Sequence, residues 1–283
     1  LINSKCLGIK VINAGGSESF KRGSREFSLD DTVPSYGVTS RKILNTISKA
    51  NEQLKIPHPL HVHCNNLGLP GNVKTALDTI DAAEGRKMHL AHVQFYGYDD
   101  EGKKGFSSGA VKLTESINKN KNITVDVGQV MFGKAMFMTA DAPLTYLLRG
   151  YKKEKWVNAD TECESGCGIL PFDYQGMIYT HALQWAIGLE IFLLSKDPWR
   201  IVLSTDHPNG GSFANYPLVI KLLMDYEFRK QAMKSVNQKA MNKLSIGSDF
   251  PKISLETTEG KSLIIPQDIK TRYCILMFIR GAW

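Results

Sequence analysis

The chain has 283 residues, 42% of them hydrophobic and 22% charged, with a net charge of +7, which is ordinary globular material for one large domain or slightly more. Its lysines and arginines are scattered rather than massed, which argues against a nucleic-acid footprint. The five cysteines (Cys6, Cys64, Cys163, Cys167, Cys274) are an odd number in a long chain, which argues against a secreted disulfide scaffold.

No apolar run reaches membrane-spanning length and no signal peptide is visible, so a cytoplasmic protein without a membrane span is expected. Leu1 and Trp283 both read as cut ends, and a fragment is expected.

Residues 7–13 form a short apolar run interrupted by Lys10, which reads as a buried strand closing in Ala-Gly-Gly. Residues 14–37 are a polar, Gly/Ser-rich loop, and Ile43, Leu44, Ile47, Ala50 and Leu54 give helical spacing over 39–54. The segment 60–64 alternates apolar and ligand-type residues, so a strand there carries His61 and His63 on one face. Turn-forming residues 65–72 lead into a helix over 73–83.

A strand over 88–95, a helix over about 108–119 and a strand over 122–128 follow. Residues 130–175 break into an irregular excursion. A long apolar helix over 175–194, a buried strand over 199–206 and an amphipathic helix over about 216–232 complete this part. Trp185, Trp199 and the Phe and Met residues of 130–138 read as core.

Repeated strand–helix alternation argues for an α/β fold with a parallel sheet. An open doubly wound sheet would alternate in the same way, but no Gly-rich phosphate fingerprint opens a helix. Lys10, His63, His92 and Asp206 fall at the carboxyl ends of four strands, the face on which a (β/α) barrel builds its active site. Five strands do not close an eight-stranded barrel, so on that reading the first three are missing.

Five of the seven histidines lie between His58 and His92, and His207 adjoins Asp206. Two divalent metals about 3.5–4 Å apart generate hydroxide at neutral pH and polarise a carbonyl, given imidazoles, carboxylates and an anionic bridge. A carbamylated lysine is such a bridge, and Lys10 inside an apolar run would be desolvated toward the neutral amine that carbamylation needs. Asp206 would ligate one metal and act as general base, oriented by His207 and Asn209.

Blander readings stand beside these. Lys10 also suits a solvated strand end, His92 a packed strand position with His89 competing for its role, and Asp206 a helix cap. Cys163 and Cys167, spaced C-x3-C, suit two loop thiols. Cys64 faces away from His63 if both lie on one strand.

Several stretches together resemble the A-type subunits of the formylmethanofuran dehydrogenase family, a branch of the amidohydrolase superfamily. They are Gly8-Ile-Lys-Val-Ile-Asn-Ala-Gly-Gly16, residues 58–72, His89-Leu-Ala-His-Val-Gln-Phe95, Lys155-Trp-Val-Asn-Ala-Asp160, Gln184-Trp-Ala-Ile-Gly-Leu-Glu190 and Leu203-Ser-Thr-Asp-His-Pro-Asn-Gly-Gly211. The same family includes the matching component of the bacterial formyltransferase/hydrolase complex.

The resemblance covers about residues 5–243 and implies a partial TIM-like metal-dependent hydrolase barrel with a dinuclear zinc centre. It implies reversible hydrolysis of an N-formyl amide, between formate plus methanofuran and N-formylmethanofuran, with the other subunits of the complex as partners. Lys10 is then the carboxylated bridge, His63 and His92 ligands of the second zinc, and Asp206 the metal-bound base. Asn65, Asn66, His207, Asn209 and Gly210 fall on substrate-binding loops. The family's His-x-His of the first barrel strand is absent, and one zinc would lack its imidazoles.

From about Ser245 the sequence instead resembles the start of a peroxiredoxin, a truncated thioredoxin-like segment over 244–283 beside a barrel fragment over 1–243. Residues 273–279 would be its first central strand, and the chain ends just after Gly281-Ala-Trp283, before a reactive cysteine. Two other functions are weighed against the enzyme: a catalytically inactive scaffold component, and a thiol redox protein built on the tail. Cys274, in an apolar strand, serves the latter poorly because burial disfavours thiolate.

Overall fold

The computed structural model describes residues 6–15, 26–34, 36–101, 105–128, 134–139, 168–173, 179–205, 213–241, 252–257 and 259–270. It divides into two compact units, Leu1–Met241 and Asn242–Trp283.

In chain order the first unit comprises β1 (Lys10–Ile12), α1 (Ser40–Gln53), β2 (Leu60–His63), α2 (Val73–Ala82), β3 (Met88–Leu90), β4 (Tyr98–Asp99) and β5 (Ser107–Ser108). Then come α3 (Ala110–Lys119), β6 (Ile123–Gly128), β7 (Lys134–Thr139), β8 (Gly168–Asp173), α4 (Tyr179–Leu194), β9 (Ile201–Ser204), α5 (Tyr216–Met224) and α6 (Tyr226–Met241).

Five strands pair in parallel in the order β1-β2-β3-β6-β9. The strands lie side by side in chain order with no reversal, which is the order of a (β/α) barrel wall and not of a doubly wound sheet.

The pleat sorts the side chains. Leu60, Val62, Met88, Leu90, Ile123, Val125 and Val127 are buried in one hydrophobic core with Leu44, Ile80, Leu113 and Ile187 of the helices. The alternate positions Lys10, His61, His63, His89, Thr124 and Asp126 therefore share the opposite face. Register aligns Lys10, His61, His89 and Thr124 in one row across four strands.

Several expected elements change. The strand over 7–13 shrinks to three residues at one end of the sheet. Val11 packs inward, but Lys10 and Leu7 are exposed and Ile12 is 62% exposed. The strand over 88–95 stops at Leu90, because His92 turns left-handed (φ 46°) into a 3-10 turn over Val93–Tyr96.

The helix over 216–232 is two helices, parted at Asp225, whose backbone leaves the helical region and whose Oδ1 accepts the Phe228 N–H at 2.9 Å. A short acidic side chain that satisfies an N-terminal donor starts a new helix there. Trp199, expected in the core, is 91% exposed on a 3-10 turn over Pro198–Arg200 capped by Asp197. Trp185 is partly buried against the core.

Within the excursion at 130–175, β7 and β8 pair antiparallel from Lys134↔Asp173 to Thr139↔Gly168. Cys163 and Cys167 lie outside the described residues. In the second unit β10 (Ile253–Glu256) and β11 (Ser262–Ile265) form an antiparallel hairpin, whose turn needs Gly260 at φ +73°. The expected strand over 273–279, Cys274 and Gly281–Trp283 lie outside the described residues. Among the described residues no helix is long and apolar enough to cross a membrane.

Candidate metal centre and its carboxylate clasp

Five imidazoles cluster here: His61, His63 and His89 on the polar face of β2 and β3, His58 just before β2 and His92 just after β3. His61 and His89 have ring centroids 5.0 Å apart, His63 and His92 4.9 Å, and His61 and His63 5.4 Å. His58 stands 6.1 Å from both His61 and His89.

From β6, Asp126 reaches into this array. Its Oδ2 accepts from His89 Nε2 at 3.0 Å, and its Oδ1 accepts from His92 Nδ1 at 2.9 Å and from the His92 backbone N–H at 3.0 Å. The Ser204 hydroxyl, at the end of β9, donates to the same Oδ1 at 2.5 Å.

Electrostatics follow from this crowding. Burial pushes the His61 imidazole down to about 4, helped by the nearby His89 and Lys10. Burial likewise pushes His63 down to about 3, helped by His92 and Lys10. Burial alone would raise the Asp126 carboxyl, but the hydrogen bonds from His89, His92 and Ser204 outweigh it and hold the group well below the usual carboxylate range. His61 and His63 are thus neutral at pH 7, the form that ligates metals.

The same shifts predict acid lability of the metal-free chain. Unfolded histidines take up protons below about 6.5, whereas His61 and His63 in the fold resist until about 4 and about 3. Their stabilising contribution is full above the unfolded value and drains away as pH falls through that window. Asp126, with its folded value depressed, adds a loss that begins only below about 3.9. The urea midpoint is expected to be lower at pH 5 than at pH 7.5, with a flatter slope in the His61→Gln/His63→Gln variant; a wild-type midpoint unchanged over that range would contradict it.

The expected site residues fare differently. His63 and His92 are brought side by side, though His92 sits in the turn after β3 rather than on the strand. Among the described residues the buried His63 Nε2 has no hydrogen-bond partner. Lys10 shares the face but is exposed rather than buried as expected, since its strand lies at one end of the described sheet.

Asn65 and Asn66, expected at a substrate, have amides tied up within the protein. Asn65 Nδ2 donates to the Ser40 hydroxyl at 3.1 Å. Asn66 accepts from the Phe27 N–H at 2.9 Å and donates to the Phe27 carbonyl at 3.2 Å and to Thr75 Oγ1 at 2.9 Å. Both pin neighbouring loops. Asp206, His207, Asn209 and Gly210 lie outside the described residues, just past Ser204.

Cys64 points to the core, away from His63, and burial pushes its thiol up to about 12. That removes a Cys/His nucleophile.

Asp126 and Ser204 were missed in sequence. The available signal was one carboxylate in the apolar strand Ile123-Thr-Val-Asp-Val-Gly128, two residues from Thr124 and so on the same face.

Among the described residues no three His, Cys, Asp or Glu side chains are grouped to hold a metal ion. The orphaned His63 Nε2 beside His92 nevertheless fits part of one, because a buried neutral imidazole nitrogen without a partner carries an uncompensated cost that a metal removes.

Residues 4–247 match the amidohydrolase family. The chain belongs to that family. This amidohydrolase chain is 42% identical over 276 residues to the A-type subunit of the formyltransferase/hydrolase complex Fhc of Methylorubrum extorquens, covering 94% of this chain and 50% of the relative. It is 41% identical over 238 residues to protein FwdA of Methanocaldococcus jannaschii, covering 80% of this chain and 42% of the relative.

A similar solved structure is the X-ray crystal structure of the formyltransferase/hydrolase complex FhcABCD from Methylorubrum extorquens with methylofuran. It matches at a TM-score of 0.71 and 44% identity, over 85% of this chain and 44% of that one. The chain spans about half the length of the curated relatives it matches. The resemblance read from the motifs is borne out by these names.

Proposed function

We propose that this chain carries part of a metal-dependent amidohydrolase site that interconverts an N-formyl amide with formate and a free amine, within a complex of several subunits. The observation that carries the reading is the His63–His92 pair, with its orphaned Nε2, in a chain 44% identical to a component of a complex that binds methylofuran. On this reading the amine is a furan-type carrier such as methanofuran.

Lys10 in its carboxylated form, His63, His92 and Asp206 would hold two zinc ions. When bound, such a centre supplies a water of lowered pKa and polarises the formyl carbonyl. Asp206 takes a proton from the attacking water as its oxygen bonds to the formyl carbon, and returns it to the nitrogen as the C–N bond breaks. Formate and the amine leave. His207, Asn209 and Gly210 would help bind the substrate beside Asp206.

The test uses the full-length protein in its complex and an N-formylated amine as substrate. Deformylation is expected to fall to background on removal of metal by a chelator and to return with zinc. Undiminished turnover by metal-depleted protein would overturn the reading.

A further inference from the structure

Asp126 is 3% exposed and accepts four hydrogen bonds, three on Oδ1 and one on Oδ2. A carboxylate only accepts, so each imidazole nitrogen facing it carries the proton. His92 is thereby set as the Nδ1–H tautomer and His89 as the Nε2–H tautomer, with His89 Nδ1 accepting from the Thr124 hydroxyl at 2.9 Å.

Any metal bond made by His92 must then use Nε2. The ring also packs close to Gly128, two residues along the same strand as Asp126. A Cβ on Gly128 would meet His92 Nδ1 at 3.4 Å, and the Gln94 side chain bonds both the N–H and the carbonyl of Gly128, at 3.0 and 3.2 Å. One carboxylate thus ties the turn after β3 to β6 and to the end of β9.

We propose that Asp126 is a positioning residue: it clamps His92 by backbone and ring together, makes Nε2 its ligating nitrogen, and holds His89 in the opposite tautomer. The purpose of the clamp rests on the metal reading above, but the clamp itself does not. Asp126 acts through His92 and does not touch substrate.

Asparagine at this position separates the two halves of the claim. Three donors meet Oδ1 and one meets Oδ2, so the asparagine oxygen goes to the His92 side and its NH2 confronts His89. His89 Nε2 must then accept, and its proton moves to Nδ1.

The test takes the full chain, stripped of metal and 15N-labelled at histidine. Long-range proton–nitrogen spectra at pH 7.5 are assigned with His89→Gln and His92→Gln. The wild type is expected to show His92 protonated at Nδ1 and His89 at Nε2, whereas in Asp126→Asn His89 moves to Nδ1–H. Zinc affinity should fall about 10–100-fold in that variant.

A wild-type His92 protonated at Nε2, or tautomers identical in wild type and Asp126→Asn, would overturn the proposal. The wild-type spectrum decides alone if the variant does not fold. Wild-type protein with the expected tautomers but no zinc affinity would overturn the metal reading and leave the clamp standing.

Discussion

Asp126→Ala is expected to destabilise the chain by about 3–5 kcal/mol, since several buried donors lose their acceptor at about 1–3 kcal/mol each. Truncation leaves the His92 backbone N–H, two imidazole N–H groups and the Ser204 hydroxyl without their acceptor. Release of His92 from its left-handed conformation (φ 46°), which costs a non-glycine residue roughly 1–2 kcal/mol, would offset part of that loss. Asp126→Asn should cost less, because its oxygen still serves the His92 side. Urea unfolding of the metal-free chain measures both, and a loss below about 1 kcal/mol in Asp126→Ala would show that the clasp contributes no more than one ordinary hydrogen bond.

Asp206→Asn is expected to lower deformylation by the full-length complex about 10²–10⁴-fold, the range that a positioned general base supplies. The amide keeps the shape of the side chain and an oxygen for a metal, but it cannot accept the proton of the attacking water. Bound zinc should therefore remain within about twofold of wild type while turnover collapses, since one oxygen ligand survives the change. Steady-state rates and metal content on the same preparation separate the two effects. Unchanged turnover would remove Asp206 from the chemistry.

The fold was largely legible because period-two and 3.6-residue patterns report burial directly. Leu60, Val62, Met88 and Leu90 announced their strands, and Ile43, Leu44 and Ile47 their helix. Pattern alone left the barrel and the doubly wound sheet equal apart from the absence of a phosphate loop. Strand order, a long-range property, separates them.

The candidate site was legible only in part. His61-x-His63 was visible because alternation places both on one face. The left-handed turn at His92 was not, because it depends on a carboxylate 34 residues away in sequence. Asp126 looked like a strand residue until the histidines it faces were in place. The exposure of Lys10 was not legible, because an apolar run does not reveal that its strand lies at one end of the described sheet. The internal hydrogen bonds of Asn65 and Asn66 were not legible because their partners, Ser40 at the start of α1 and Phe27 in a loop, lie far away in sequence.

Anomalous diffraction at the zinc edge, from crystals of the full-length protein in its complex, tests the central claim most directly. The account predicts two zinc peaks about 3.5–4 Å apart, contacted by Lys10, His63, His92 through Nε2, and Asp206. Zinc bound elsewhere, or no peak beside His63 and His92 in catalytically active crystals, would contradict it.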